Sequence, residues 1–343
     1  MEIIPLFQWS GHRDAVYTLT HGVNGAVISA GGDGNVVAWD PSNPPLPGCA
    51  LFQLNGGTYC IQTPSAAYDG WIIGGIKGEM HFIPTSSTHD SKGVSPVHTP
   101  GLSPGHTPGD SPGNAHVHPP SIDQKTTLWN GAKGVNTGKA PIHDLLFMDQ
   151  WLWSAQGDGR LLRWCVENPF PRIDQSYPIS NSALRCLAPH PSEPYIASGS
   201  SDGNIRLTDK SGMLIQEFSG HTLSVFSLLF LAGGKYLLSG SRDAHLAVWE
   251  TESGKLLERF PAHLGTLNQL VSIPEYGLIG SAGRDKEIRL WDRQTLALRK
   301  VINRTHYPLH GHTHSVNRLL WKPETSILLS AGDDRKIRAW QIT

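Results

Sequence analysis

One eleven-residue pattern returns along most of this chain, and it constrains the fold more than any other feature. It reads SAGGDGNVVAW at 29–39, SAQGDGRLLRW at 154–164 and SGSSDGNIRLT at 198–208. It returns as SGSRDAHLAVW at 239–249, SAGRDKEIRLW at 281–291 and SAGDDRKIRAW at 330–340. Serine comes first and aspartate fifth in every copy, and tryptophan closes each copy except the one ending on Thr208. Ahead of three copies stands a Gly-His pair: Gly11-His12, Gly220-His221 and Gly311-His312. Ahead of Ser281 the pair becomes Ala262-His263. Self-similarity at a period of roughly 40 residues means that one supersecondary unit is built repeatedly, each burying its apolar faces against the next.

Within a copy, apolar residues alternate, as in Ile288 and Leu290 or Ala247 and Trp249, which describes half-buried strands. Gly-Asp-Gly and Arg-Asp-Ala mark the turn between two such strands. The composition agrees: 37 Gly, 25 Pro and 11 Trp, with 17% charged residues, suit many short strands joined by tight turns. On these residues the chain resembles the WD-repeat family, across nearly its whole length. The resemblance implies that His, Ser, Asp and Trp of one blade form a hydrogen-bonded chain. It carries over to His12, Ser29, Asp33 and Trp39; to His221, Ser239, Asp243 and Trp249; to His263, Ser281, Asp285 and Trp291; and to His312, Ser330, Asp334 and Trp340. A buried carboxylate needs such partners, because leaving it unpaired costs several kcal/mol.

Six copies leave a gap between Trp39 and Ser154. Residues 57–84 fill it with a strand, turn, strand pattern that lacks the polar signature, with Lys77 or Gly78 at the Asp position and Ile83 at the Trp position. The third blade has Gly138-Lys139 where Gly-His is expected, and the fourth has Ser180 near the His position. The expected fold is therefore all-β: a seven-bladed β-propeller, one domain over 1–343. The chain ends three residues after Trp340, so the last blade lacks an outer strand, and residues 3–8 form a strand without a blade. The resemblance implies that this N-terminal strand completes the last blade, and closure removes an exposed sheet edge. Residues 85–125 differ from the rest. Prolines at 96, 100, 104, 108 and 112 each follow Ser or Thr, which forbids helix and sheet ladders, so a disordered loop insertion is expected.

A net charge of −1 and the absence of an arginine-rich element argue against a nucleic-acid binder. Cys49, Cys60, Cys165 and Cys186 form no C-x-x-C pair and read as core residues, so no metal or cofactor is expected. The N-terminus MEIIPLFQWSGH has no basic n-region and no long apolar run, and no stretch of eighteen apolar residues exists. Neither signal peptide nor membrane helix is expected, and the cytoplasm is the default compartment. A His/Ser/Asp set invites a catalytic reading, but nucleophilic catalysis needs one exposed serine rather than a repeated relay. His143-Asp144 sits in a strand without further clustered ligands, so the chain is not expected to be an enzyme. The resemblance implies instead a protein-interaction scaffold, a monomer by itself, that docks proteins or peptides on the loop face beside the Gly-His. It places Gly32, Gly157, Ser201, Arg242, Arg284 and Asp333, each one residue before the motif Asp, on that face. Arg13, Leu223 and His314, just after the Gly-His, rim it. Arg242 and Arg284 lie in adjacent blades, a candidate cationic site for a carboxylate or phosphopeptide. Alternatives are a nucleic-acid-associated or an enzymatic propeller.

Overall fold

The computed structural model describes residues 1–44, 46–63, 70–84, 133–166 and 171–343. Among these residues lie seven antiparallel sheets of four strands each, so the chain is an all-β, seven-bladed propeller. Each blade begins with an inner strand: Val16–His21, Thr58–Gln62, Ile142–Met148, Leu184–Pro189, Val225–Leu231, Leu267–Ile273 and Val316–Lys322. Each inner strand packs beside the next, and the last returns to the first, so the seven enclose a central channel.

The ring closes with strands from both ends of the chain. Strand Ile3–Ser10 pairs antiparallel with Lys336–Ile342, in a register running from Ile3 opposite Ile342 to Ser10 opposite Lys336. Ile3 and Trp9 are buried there, and the Tyr307 hydroxyl donates to the Ile3 carbonyl at 3.2 Å. Without this strand the last blade would expose a row of unpaired backbone groups.

The core lies between blades. Each apolar cluster joins two neighbours, as where Leu278, Ile288 and Leu290 of blade 6 pack on Val316, Leu328 and Trp340 of blade 7. The second strand of each blade is covered on both faces, which explains runs such as LIGSAG and ILLSAG, fully buried without strict alternation. The residue after the motif serine must be small. A Cβ on Gly240 would stand 2.2 Å from Leu267 of the next blade, and the same position holds Ala30, Ala155, Ala282 or Ala331 elsewhere.

Blade 2 confirms the strand, turn, strand reading of 57–84, and its fourth strand is Lys133–Asn136. The expected loop insertion 85–125 falls between its third and fourth strands and lies outside the described residues. Cys60, Cys165 and Cys186 are buried, but Cys49 is exposed, because it lies in the outer strand Cys49–Gln53 that faces solvent. Among the described residues, no helix is long and apolar enough to cross a membrane.

Candidate functional site: the loop face and the channel mouth

Four blades carry the same hydrogen-bonded chain, at nearly the same distances. In blade 1, Trp39 Nε1 donates to Ser29 Oγ at 2.7 Å, Ser29 to His12 Nε2 at 2.7 Å, and His12 Nδ1 to Asp33 at 3.1 Å. Blade 5 repeats it through Trp249, Ser239, His221 and Asp243, blade 6 through Trp291, Ser281, His263 and Asp285, and blade 7 through Trp340, Ser330, His312 and Asp334. An indole only donates and a carboxylate only accepts, so in each chain the histidine Nδ1 carries the proton that faces the aspartate. Each chain ties the loop entering a blade to its second strand, third strand and the turn between them. The residue after the motif Asp, or after Lys77 at the same place in blade 2, is left-handed in all seven blades. Glycine provides this at 34, 78, 159 and 203, whereas Ala244, Lys286 and Arg335 adopt it at a cost of about 1 kcal/mol each.

Burial alone would raise the aspartate carboxyls. It is outweighed by the histidine hydrogen bonds and by loop amides such as Arg13 and Thr222, which hold Asp33 down to about 2 and Asp243, Asp285 and Asp334 below the usual carboxylate range. Burial holds His221 and His312 below the usual imidazole value despite their carboxylate partners. Both shifts act in one direction. The unfolded chain takes up protons on these histidines below about pH 6.5, and on these aspartates below about pH 4, where the folded chain resists. Asp144, raised by burial, opposes the trend with a single group. The melting temperature is expected to fall between pH 6.5 and 4 and more steeply below 4. A rise in thermal melts over pH 6.5 to 4 would contradict this account.

The remaining blades depart in instructive ways. In blade 3, Trp164 still donates to Ser154 at 2.8 Å, but the third partner is Gln156, whose amide donates to Ser154 at 2.8 Å and accepts from Thr137 at 3.0 Å. The histidine sits four residues before the inner strand in other blades, so the Gly-His pair is replaced by Thr137-Gly138, one residue earlier than Gly138-Lys139. The exchange is reciprocal. Gly283, at the Gln156 position of blade 6, has no room for a Cβ because His263 stands 2.2 Å away, whereas glycine at 138 leaves that volume to Gln156. In blade 4, Ser180 takes the histidine place and donates to Asp202 at 2.9 Å. In blade 2, Ile73 and Ile83 stand at the Ser and Trp positions, and the polar chain gives way to packing among Phe52, Trp71, Ile73 and Ile83.

The seven inner strands converge on the mouth of the channel. Each has a register irregularity at its second residue, so the side chain there leaves the strand's alternation and turns to the mouth. Those residues are Tyr17, Tyr59, His143, Arg185, Phe226, Asn268 and Asn317, and with Arg318 they line one cavity of about 210 Å³. They form a nearly continuous circle. Tyr17 lies 5.4 Å from Tyr59, and Tyr59 5.4 Å from His143. His143 Nδ1 donates to the Leu184 carbonyl at 2.9 Å, and its Nε2 accepts from Arg185 at 2.9 Å. Burial and the Arg185 charge push His143 down to about 4, which keeps that acceptor free of a proton at neutral pH. Arg185 also donates to Ser201 at 2.7 Å and lies over the Phe226 ring at 5.7 Å. Asn268 and Asn317 donate to the carbonyls of Val316 and Val16, each on the next blade. One layer deeper, Asp144, Ser227 and Gln269 accept amides of the following inner strand. Arg318 lies in the channel with no hydrogen bond or ion pair among the described residues.

Around this mouth Arg13, Leu223, Arg242, Arg284, His314 and Asp333 are all exposed, and Gly32, Gly157 and Ser201 are half-buried. Asp333 accepts from Asn317 at 2.7 Å, and burial, with a smaller contribution from the Arg242 charge, lowers the Arg185 pKa. Leu264, directly after His263, and Leu309 in the next blade-to-blade loop are 88% and 85% exposed. The inner ring and these leucines escape the repeat pattern, because the pattern marks invariant positions while these vary from blade to blade. Comparing the residue five places after each histidine, and after Gly138 and Ser180 at its place in blades 3 and 4, picks out six of the seven ring residues. Among the described residues, no three His, Cys, Asp or Glu side chains gather in a way that could hold a metal ion.

Known proteins resemble the chain in sequence and in fold. The model of the WD domain, G-beta repeat, matches residues 4–40, 175–209, 212–250, 254–292 and 303–341, leaving out blades 2 and 3. The chain is 24% identical over 294 residues to Striatin-3 of Mus musculus, an alignment covering 83% of this chain and 34% of that protein. It is 34% identical over 101 residues to the p21-activated protein kinase-interacting protein 1-like of Danio rerio, covering 29% and 27%. The chain thus spans about a third or less of the length of these relatives. The WD40 β-propeller domain of Doa1 superposes with a TM-score of 0.75 at 16% identity, covering 100% of this chain and 97% of that one, a likeness of fold. With the repeat model matching more than half of its residues, the chain belongs to the WD-repeat family.

Proposed function

We propose that the chain is a non-catalytic protein-interaction platform whose loop face docks an acidic, partly apolar segment of a partner across the channel mouth. The observation that carries this reading is Arg318: a half-buried guanidinium at the mouth with no hydrogen bond or ion pair among the described residues and only the Asp144 carboxylate, one layer deeper, within reach of its charge, beside an Arg185 already oriented by Ser201, His143 and Phe226. A half-buried guanidinium whose N–H groups lack acceptors is costly, and a carboxylate or phosphate from a partner relieves that cost with a charge-assisted, bidentate contact. Arg242 and Arg284 extend the positive field outward, and Leu223, Leu264 and Leu309 offer apolar anchors near it. The serines of the four Asp–His–Ser sets are fully buried and already accept an indole N–H, so they offer no nucleophile to a substrate. The name of the Danio rerio relative describes a protein that interacts with a kinase, which accords with a binding role.

Arg242→Glu combined with Arg284→Glu tests the reading, because both side chains are exposed and the fold should tolerate the change within about 1 kcal/mol. On an array of ten-residue peptides, wild-type protein should retain acidic-apolar sequences over basic ones. The double variant should lose at least tenfold of that signal with an unchanged melt. Equal retention by both proteins would remove the loop face as the acidic docking site.

A further inference from the structure

The face opposite the tetrad loops carries a second cavity of about 500 Å³, between blades 4 and 5. It lies where turns of the two blades meet. His190 bonds the Gly234 carbonyl at 3.3 Å and accepts the Glu193 amide at 3.0 Å, and Thr251 donates its amide to the Lys235 carbonyl at 3.0 Å. The cavity is therefore framed by backbone held in place, not by loose side chains. Its wall is apolar, from Tyr195, Leu207 and Ile215. Ile215 belongs to an outer strand that continues the apolar surface outward, with Leu214 51% exposed and Met213, just before the strand, 60% exposed. Three consecutive exposed apolar residues leading into a cavity are uncommon on a surface that only meets water.

The rim has a sign. Glu193, Glu250 and Glu252 line it, none of them in an ion pair among the described residues, and Lys235 is the only lysine or arginine lining it. In the same wall the Thr251 hydroxyl is buried without a hydrogen-bond partner. We infer that this cavity is a second docking site, which takes a lysine or arginine side chain flanked by aliphatic residues on a partner polypeptide. The aliphatic part of the side chain lies along Tyr195, Leu207 and Ile215 while the cation meets the glutamates. The two faces would then select opposite charges, acidic at the channel mouth and basic here, so one disc holds two partners in a defined orientation.

The probe is n-butylguanidinium, an arginine side chain without a backbone, titrated into the deuterated, 15N-labelled full chain by transverse-optimised NMR. Saturable shifts should concentrate at the amides of Tyr195, Gly233, Gly234, Lys235, Thr251 and Glu252, and butyrate should bind at least tenfold more weakly. Glu250→Lys with Glu252→Lys should weaken butylguanidinium at least tenfold, and so should Ile215→Arg, which keeps the test open if the first variant does not fold. The loop-face variant Arg242→Glu/Arg284→Glu should bind the probe like wild type, so failure here and failure of the loop-face reading are separate results. Absence of saturable shifts at these amides, or equal binding of butyrate, would overturn the inference. So would a dimer in sedimentation that Glu250→Lys/Glu252→Lys abolishes, since the occupant would then be a second copy of this chain.

Discussion

Deletion of residues 1–9 is expected to lower the melting temperature by roughly 10 °C or more, or to give insoluble protein. The deletion removes a strand paired along its length with Lys336–Ile342 and takes Ile3 and Trp9 out of the core between blades. Burying each side chain contributes about 1.5–3 kcal/mol, before the lost ladder is considered. Trp9 also donates to the Pro44 carbonyl at 3.2 Å and stacks on Trp39 at 5.3 Å, so blade 1 loses support together with blade 7. The newly exposed edge of the strand at 336–342 is a template for pairing with other chains, which is why aggregation is an expected form of the damage. A truncated protein that melts within a degree or two of the full chain would show that the ring does not depend on this strand.

Asp243→Ala is expected to destabilise by about 1–3 kcal/mol or more, because it leaves several donors unpaired at once. The Asp243 carboxylate accepts His221 Nδ1 at 2.9 Å, the amides of Thr222 and His245 at 3.0 Å, and Arg259 at 3.1 Å. The Arg259 contact joins the outer strand to the same node, whereas in blade 7 the guanidinium on Asp334 comes from Arg338 of the third strand, at 3.3 Å. Arg242→Glu, one residue away and exposed, should change stability by only about 0.5 kcal/mol. Thermal melts of the two single variants and wild type decide the matter. If Asp243→Ala melts like wild type, the carboxylate is not the node its bonds describe.

The polar chain was legible because its chemistry forces a pattern. A buried histidine, serine and aspartate with tryptophan must recur together, since each is costly alone, so the same letters return at the same spacing. Blades 2 and 3 were harder to read for the same reason. Isoleucines at 73 and 83 need no partners and leave no polar signature, and Gln156 solves the problem of Ser154 from a position that elsewhere holds glycine or serine. Blade 3 has no Gly-His pair at either 137–138 or 138–139, because the function has moved to Gln156 on the second strand.

What the sequence by itself determined is the unit and its number: a strand-turn-strand repeat, seven times over, six of them with the Ser and Asp signature, and an N-terminal segment left to complete the last blade. Local chemistry suffices for that, because strand alternation, turn residues and the polar chain all act within one blade and its immediate neighbour. Only the tertiary structure decided what the disc presents. The mouth is made by one residue from each inner strand, drawn from positions 17 to 317, and the cavity between blades 4 and 5 by turns of two blades. These side chains meet because the ring closes, and closure brings together residues whose spacing along the chain carries no record of their contact.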